Sequence, residues 1–298
     1  MMSVSPVVET RGLVKRYGDQ LAVAGVDLLV GPGEIYGLVG PNGAGKTTAL
    51  RVITGALAPQ AGSARVFGLE PSGADGEQVR RRCGVVAAKP ALYDRLTGRD
   101  NLRYAAELFG LGRHADVEEA AARFDIDRSL DLRVAGYSTG MKTRLALARA
   151  VLHSPDLLLL DEPTAGLDPE SSHAVLGLVR EMAAEGATVV MSTHLLLEAE
   201  GLADQVVMME NGSTAMALLP LLSGEIRIKE VVLRGGQVVV EHWVASAAGR
   251  SVARSSLASA GTAYPASSCT TSPGTRVRAS MSRGGPARTT LAWCTSRA

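Results

Sequence analysis

Apolar and polar positions first organise the chain as two blocks rich in β-branched residues, 7–17 and 21–30, separated by Gly18-Asp19. That pattern predicts two strands joined as a hairpin. Gly31-Pro32-Gly33 then breaks the chain, and a further strand is expected over 34–39, running into a glycine-rich stretch at 40–45 and a helix-compatible segment at 46–57. Between 98 and 149 the period changes. Apolar residues fall at 102, 105, 106, 108 and 109, and later at 141, 145, 147, 148 and 151, spacings that keep one helix face apolar. Short apolar runs return at 157–160, 187–191 and 205–209, with helical stretches between them, and these are expected to be buried strands. Strands alternating with helices imply an α/β fold with a mainly parallel sheet. The helical lobe inserted into it covers about 87–150. Beyond the turn signal Asn211-Gly212, residues 226–240 suit one more hairpin around Gly235-Gly236.

With 298 residues, 46% of them apolar and 20% charged, the chain matches soluble globular usage and can bury a sizeable core. No apolar run approaches the roughly 18 residues that a membrane-spanning helix needs. The near-neutral total hides an asymmetry, because no acidic residue follows Glu241. Up to that point 24 basic residues stand against all 30 acidic ones, a net charge of −6, and the seven arginines beyond it carry +7. An acidic body gives no support to nucleic-acid binding, which usually shows a basic face. Cys83, Cys269 and Cys294 have no paired or metal-ligand spacing, which points to a reducing compartment, and residues 1–9 lack the pattern of a secretory signal. From 245 to 298, Ser, Ala, Arg, Gly, Thr and Pro dominate without periodicity. This basic low-complexity tail is expected to be disordered, since it has too little apolar surface to offset the entropy of ordering. Its composition resembles that of a GC-rich gene read out of frame; the rival reading is a genuine basic tail attracted to anionic lipid.

The chemistry is concentrated in the loops that follow predicted strands. Gly40, Pro41, Asn42, Gly43, Ala44, Gly45, Lys46, Thr47 and Thr48 match the phosphate-loop pattern in full, with a strand before and a helix after. Glycines there let successive backbone N–H groups face one concavity, and the helix start adds its positive end. Lys46 is expected to reach the β- and γ-phosphates and the Thr47 hydroxyl to ligate magnesium. The apolar run 157–160 ends in Asp161-Glu162. By itself such a pair also suits a helix cap, but after a phosphate loop it places Asp161 near the metal and Glu162 where it can orient or deprotonate the attacking water. Ser138, ahead of an apolar helix, is a candidate N-cap directly before the carboxylate strand.

In this order the elements resemble the ATP-binding subunits of ATP-binding cassette (ABC) transporters, over residues 7–212. The resemblance implies a P-loop NTPase core with an N-terminal antiparallel β subdomain and an inserted helical subdomain, together making a nucleotide-binding domain at 1–244. It implies ATP and Mg²⁺ as ligands, with 40–48 as the Walker A loop, 157–162 as the Walker B strand and Tyr17 stacked on adenine. Residues 138–142 are similar to the signature loop, whose Ser138 and Gly140 face the γ-phosphate held by the opposite subunit. Residues 165–168 look like the D-loop, ending at Asp168, and His194 like the switch histidine. Without the family, Tyr17 reads as a strand-surface aromatic and His194 as a solvated histidine.

Two motifs depart from the family pattern. Thr139 and Met141 stand where the signature carries glycine and glutamine, and Ala88, followed by Lys89, stands where the Q-loop glutamine is expected. Alanine can neither ligate magnesium nor hydrogen-bond water. The expected activity is ATP hydrolysis that powers transport, and bacterial multidrug and antibiotic exporters are the nearest resemblance. The partners implied are a separate transmembrane permease and a second nucleotide-binding subunit, identical or related. The expected location is the cytoplasmic face of the membrane, held there through the permease. A soluble cassette ATPase of translation or DNA repair, or a low-turnover nucleotide-binding regulator, is the alternative.

Overall fold

The computed structural model describes residues 5–112, 115–220, 226–231, 269–271, 275–284 and 288–295. The chain divides into two compact units, Met1–Leu222 with Arg227–Lys229, and Ser223–Ile226 with Glu230–Ala298.

In the first unit β1 (Val8–Tyr17) and β2 (Gln20–Val30) pair antiparallel from Val8↔Val30 to Tyr17↔Gln20. Their turn therefore falls on Gly18-Asp19, where the pattern predicts it. β3 (Ile35–Val39) follows, then α1 (Lys46–Ile53). This helix stops short of the expected 57 because Gly55 takes φ +73°, and a Cβ there would lie 1.9 Å from the Pro71 carbonyl oxygen. β4 (Ala61–Val66) pairs with β1 and completes a three-stranded antiparallel sheet in the order β2-β1-β4.

The second sheet takes β3 as a central strand. After α2 (Gly76–Arg81) come β5 (Cys83–Val86), the helical segment α3 (Gly98–Leu108), α4 (Val117–Arg123) and α5 (Thr139–Val151), and then β6 (Leu157–Asp161). α6 (Pro169–Ala184), β7 (Thr188–Thr193), α7 (Leu196–Glu200), β8 (Gln205–Glu210), β9 (Ser213–Pro220) and β10 (Ile226–Val231) complete it. The order is β10-β9-β8-β3-β7-β6-β5. Strands β8, β3, β7, β6 and β5 run parallel, and β9 is antiparallel to β8. Every residue of β3, β6 and β7 is buried, as expected of strands covered on both faces. The register sets Val39 beside Thr193 and Asp161 beside Ser192, so three carboxyl ends lie side by side. Loops at such an edge are where open parallel sheets carry their ligands.

In the helical segment α3 opens with a capping box between Thr97 and Asp100 and buries Leu102, Ala105 and Ala106. Leu108, which the periodicity assigns to the same apolar face, is instead 67% exposed at the last position of the helix. α5 buries Leu145, Ala146, Leu147 and Ala148. Asn211 and Gly212 both take positive φ and form the turn between β8 and β9, the conformation a two-residue hairpin turn needs. Among the described residues no helix is long and apolar enough to cross a membrane.

The hairpin expected at 226–240 is described only as β10, and residues 232–240 lie outside the described residues. Of the tail from 245, three strands are described: β11 (Cys269–Thr271), β12 (Thr275–Gly284) and β13 (Arg288–Thr295), paired antiparallel in that order. The rest of the tail, and with it the expectation of disorder there, lies outside the described residues.

Candidate functional site

The loop between β3 and α1 is drawn tightly against the sheet edge. Gly40 N donates to Thr193 O at 3.2 Å, and a Cβ on Gly40 would stand 2.2 Å from the Met209 carbonyl oxygen. Gly45 takes φ +99°, with its missing Cβ 2.3 Å from Ala22 O, so the start of β2 presses on the loop where only glycine fits. Ala44 N donates to Pro41 O at 3.1 Å, leaving Pro41, Asn42 and Gly43 exposed at the crest. Gly45 caps α1 without a side-chain hydrogen bond. The first-turn N–H groups, among them those of Lys46, Thr47 and Thr48, have no partner within the helix and mark its positive end.

Lys46 is 5% exposed, and its Nζ donates to Gly40 O at 2.6 Å and to Pro41 O at 3.2 Å. It also pairs with Glu162 Oε1 at 3.0 Å. Asp161, at the end of β6, accepts from Thr47 Oγ1 at 3.1 Å and from Ser192 Oγ at 2.7 Å, both on Oδ1. Glu162 takes φ +50°, an unusual conformation for a residue with a side chain, and its N–H is held by Ser192 O at 3.1 Å and Ser192 Oγ at 3.0 Å. That backbone turns Glu162 back over the site, where Oε2 meets His194 Nδ1 at 2.6 Å. Burial pushes the Glu162 carboxyl up, but the hydrogen bonds from Lys46 and His194 together outweigh it and hold it below the ordinary carboxylate range.

Thus Lys46, Thr47, Asp161, Glu162 and His194 form one connected cluster. Tyr17 is 44% exposed at the hairpin tip, on the β-subdomain whose β2 abuts Gly45. Ser138 is the N-cap of α5, accepting from Met141 N at 3.2 Å. Asp168 caps α6, accepting from Ser171 N at 2.9 Å and Ser171 Oγ at 2.6 Å, and these bonds hold its carboxyl low. The two caps are neighbours: a Cβ on Gly140 would lie 3.7 Å from Ser171 Oγ, and one on Gly166 would lie 3.9 Å from Thr139 Cγ2. No hydrogen bond among the described residues joins Ser138 or Gly140 to the phosphate loop of the same chain. Ala88 and Lys89 are exposed in the loop after β5.

Sequence reasoning missed Ser192, which bridges Asp161 to the Glu162 backbone and is fully buried. Its signal was a polar residue ending an apolar run, the same pattern that marked Asp161. It also missed Glu198, which accepts hydrogen bonds from Thr164 and Thr193. No spacing in the sequence points to that triad.

The residues present fit a magnesium nucleotide. An uncapped helix start, a buried lysine and glycines at positive φ make an anion cradle. Thr47 and Asp161 supply two hard oxygen donors in mutual contact, the kind of sparse oxygen set with which Mg²⁺ is bound beside substrate phosphates.

Comparison with known proteins supports the nucleotide. The ABC transporter family model matches residues 23–165. Nod factor export ATP-binding protein I of Burkholderia thailandensis is 42% identical over 214 residues, which cover 71% of this chain and 70% of that protein. The daunorubicin/doxorubicin resistance ATP-binding protein DrrA of Streptomyces peucetius is 41% identical over 208 residues, 69% of this chain and 63% of that one. A solved ATP-binding subunit of an ABC transporter superposes with a TM-score of 0.64 at 33% identity, covering 71% of this chain and 89% of its own. The chain therefore belongs to the ABC transporter family, as one of its ATP-binding, ATP-hydrolysing subunits.

Proposed function

We propose that this ATPase subunit works as one half of a nucleotide sandwich that drives export through a separate transmembrane permease. The observation that carries the reading is the meeting of Lys46, Asp161, Glu162 and His194 where β3, β6 and β7 end. In it, Lys46 and the amides of residues 40–48 bind the phosphates, and Tyr17 stacks on the base. Thr47 and Asp161 hold Mg²⁺, which when bound neutralises phosphate charge and polarises the reacting oxygen. Glu162 orients the attacking water and takes its proton, while His194 Nδ1 holds Glu162 in place. Ser138 and Gly140 serve the nucleotide of a second subunit, identical or related, with Asp168 at the same face. That the relatives above are named for Nod factor export and drug resistance supports an exporter. The subunit then sits against the cytoplasmic face of the membrane through its permease.

Phosphate release measured with and without the co-expressed permease tests this reading. Stimulation by the permease is expected. Equal rates in both settings favour a soluble ATPase, and binding without turnover in either favours a regulator.

Ala88 gives a second expected result. Ala88→Gln restores a side chain able to hydrogen-bond the attacking water, and one such bond, worth about 1 kcal/mol, corresponds to roughly a fivefold gain in magnesium-dependent turnover. An unchanged or lower rate means that Lys89 or a water already fills the role, or that Ala88 does not occupy the glutamine position.

A further inference from the structure

Beside the catalytic cluster, hydroxyls from two different strand ends converge on a single carboxylate oxygen. Thr164, two residues past Glu162 and buried, donates Oγ1 to Glu198 Oε2 at 2.9 Å. Thr193, the buried last residue of β7, donates Oγ1 to the same oxygen at 2.7 Å. The Thr193 hydroxyl also accepts from Leu195 N at 3.0 Å, so one group fixes the backbone on both sides of His194. On the other strand Ala165 N donates to Glu162 O at 3.0 Å, which ties the Thr164 turn back to the catalytic carboxylate.

His194 needs such restraint. Its side chain is 44% exposed, so packing alone does not fix the ring, and its 2.6 Å contact with Glu162 depends on where the backbone puts it. Glu162 is likewise held in the left-handed region at φ +50°. Hydrogen bonds to a charged acceptor are shorter and stronger than neutral ones. Two of them on one oxygen join the chain leaving β6 to the chain leaving β7.

The geometry points to Glu198 as a positioning residue, a buckle between Thr164 and Thr193 that sets the spacing of Glu162 and His194. It is assigned no contact with the reacting atoms and acts through that pair, so the inference rests on the roles proposed for them above.

In the full chain, Glu198→Ala is expected to lower kcat for ATP by about 10²-fold, the cost of misplacing a reacting group by about 1 Å. KM and the nucleotide Kd are expected to stay at wild-type values, because the phosphate loop and Lys46 lie outside the buckle. Glu198→Gln, whose amide oxygen accepts the same two hydroxyls, is expected to recover most of the rate. A wild-type kcat in Glu198→Ala overturns the proposal whether or not Tm falls, and so does a loss confined to KM. Where Glu198→Ala does not fold, Thr164→Val carries the test: it keeps the shape, removes one donor and is expected to lower kcat at constant KM, and an unchanged kcat overturns the buckle. Glu162→Gln measured in parallel separates the two levels. If it hydrolyses ATP at the wild-type rate, the base assignment and the buckle built on it both fall. If it is inactive while Glu198→Ala is unimpaired, the buckle alone falls.

Discussion

Glu162→Gln is expected to bind ATP as tightly as the parent chain while hydrolysing it about 10²- to 10⁴-fold more slowly, the usual cost of losing a general base. The amide matches the carboxylate in size and keeps an acceptor for Lys46 or His194, so the backbone held by Ser192 has no reason to move. What disappears is the charge and the capacity to take a proton. Binding is spared because Lys46 keeps its two loop carbonyls, at 2.6 and 3.2 Å, and no longer shares its charge with a carboxylate 3.0 Å away. With binding intact and turnover blocked, a nucleotide-bound dimer should accumulate. Phosphate release at saturating ATP, equilibrium nucleotide binding and the dimer fraction with ATP present check the three parts. Turnover at the parent rate would remove Glu162 from the role of base.

Most of the site is legible in the sequence because its parts are local or announce themselves at strand ends. Residues 40–48 are contiguous, and the geometry they need is written in their glycines. Asp161 and Ser192 each end an apolar run, and β6 and β7 bury every residue, so the break in polarity marks the sheet edge. What joins those edges is not local. β3 lies between β7 and β8, and no periodicity near residue 37 can announce a partner near 191. β4 buries only Ala64 and Val66, too sparse a pattern to read as a strand although it completes the N-terminal sheet. β5 has four residues, one of them the exposed Val85, and is shorter than periodicity can resolve. Leu108 satisfies the helical spacing yet faces solvent, because it stands at the last position of the helix, beyond the buried Ala105 and Ala106. Glu198 was invisible for the opposite reason: a charged residue in a short helix reads as solvated, and one of its partners stands 34 residues away.

Lys46→Ala is expected to fail at the step before turnover, by losing the nucleotide itself. The Nζ is buried against two carbonyl oxygens and one carboxylate, a position that only another strong acceptor group can share. Removing it deletes the cation expected to meet the phosphates and leaves Glu162 facing them with its own negative charge, without its partner at 3.0 Å. A hydrogen bond to a charged group contributes about 1.5–3 kcal/mol, so Kd for ATP should rise roughly 10- to 10²-fold from that loss alone. Repulsion between Glu162 and the phosphates adds to it. Lys46→Ala with Glu162→Gln should therefore bind ATP more tightly than Lys46→Ala alone, although both lack turnover. Isothermal titration of each variant, with Tm measured alongside to exclude unfolding, checks the pair. Parent-like affinity in Lys46→Ala would mean that the loop at 40–48 is not where the phosphates bind. A double variant no tighter than the single one would mean that Glu162 does not face them.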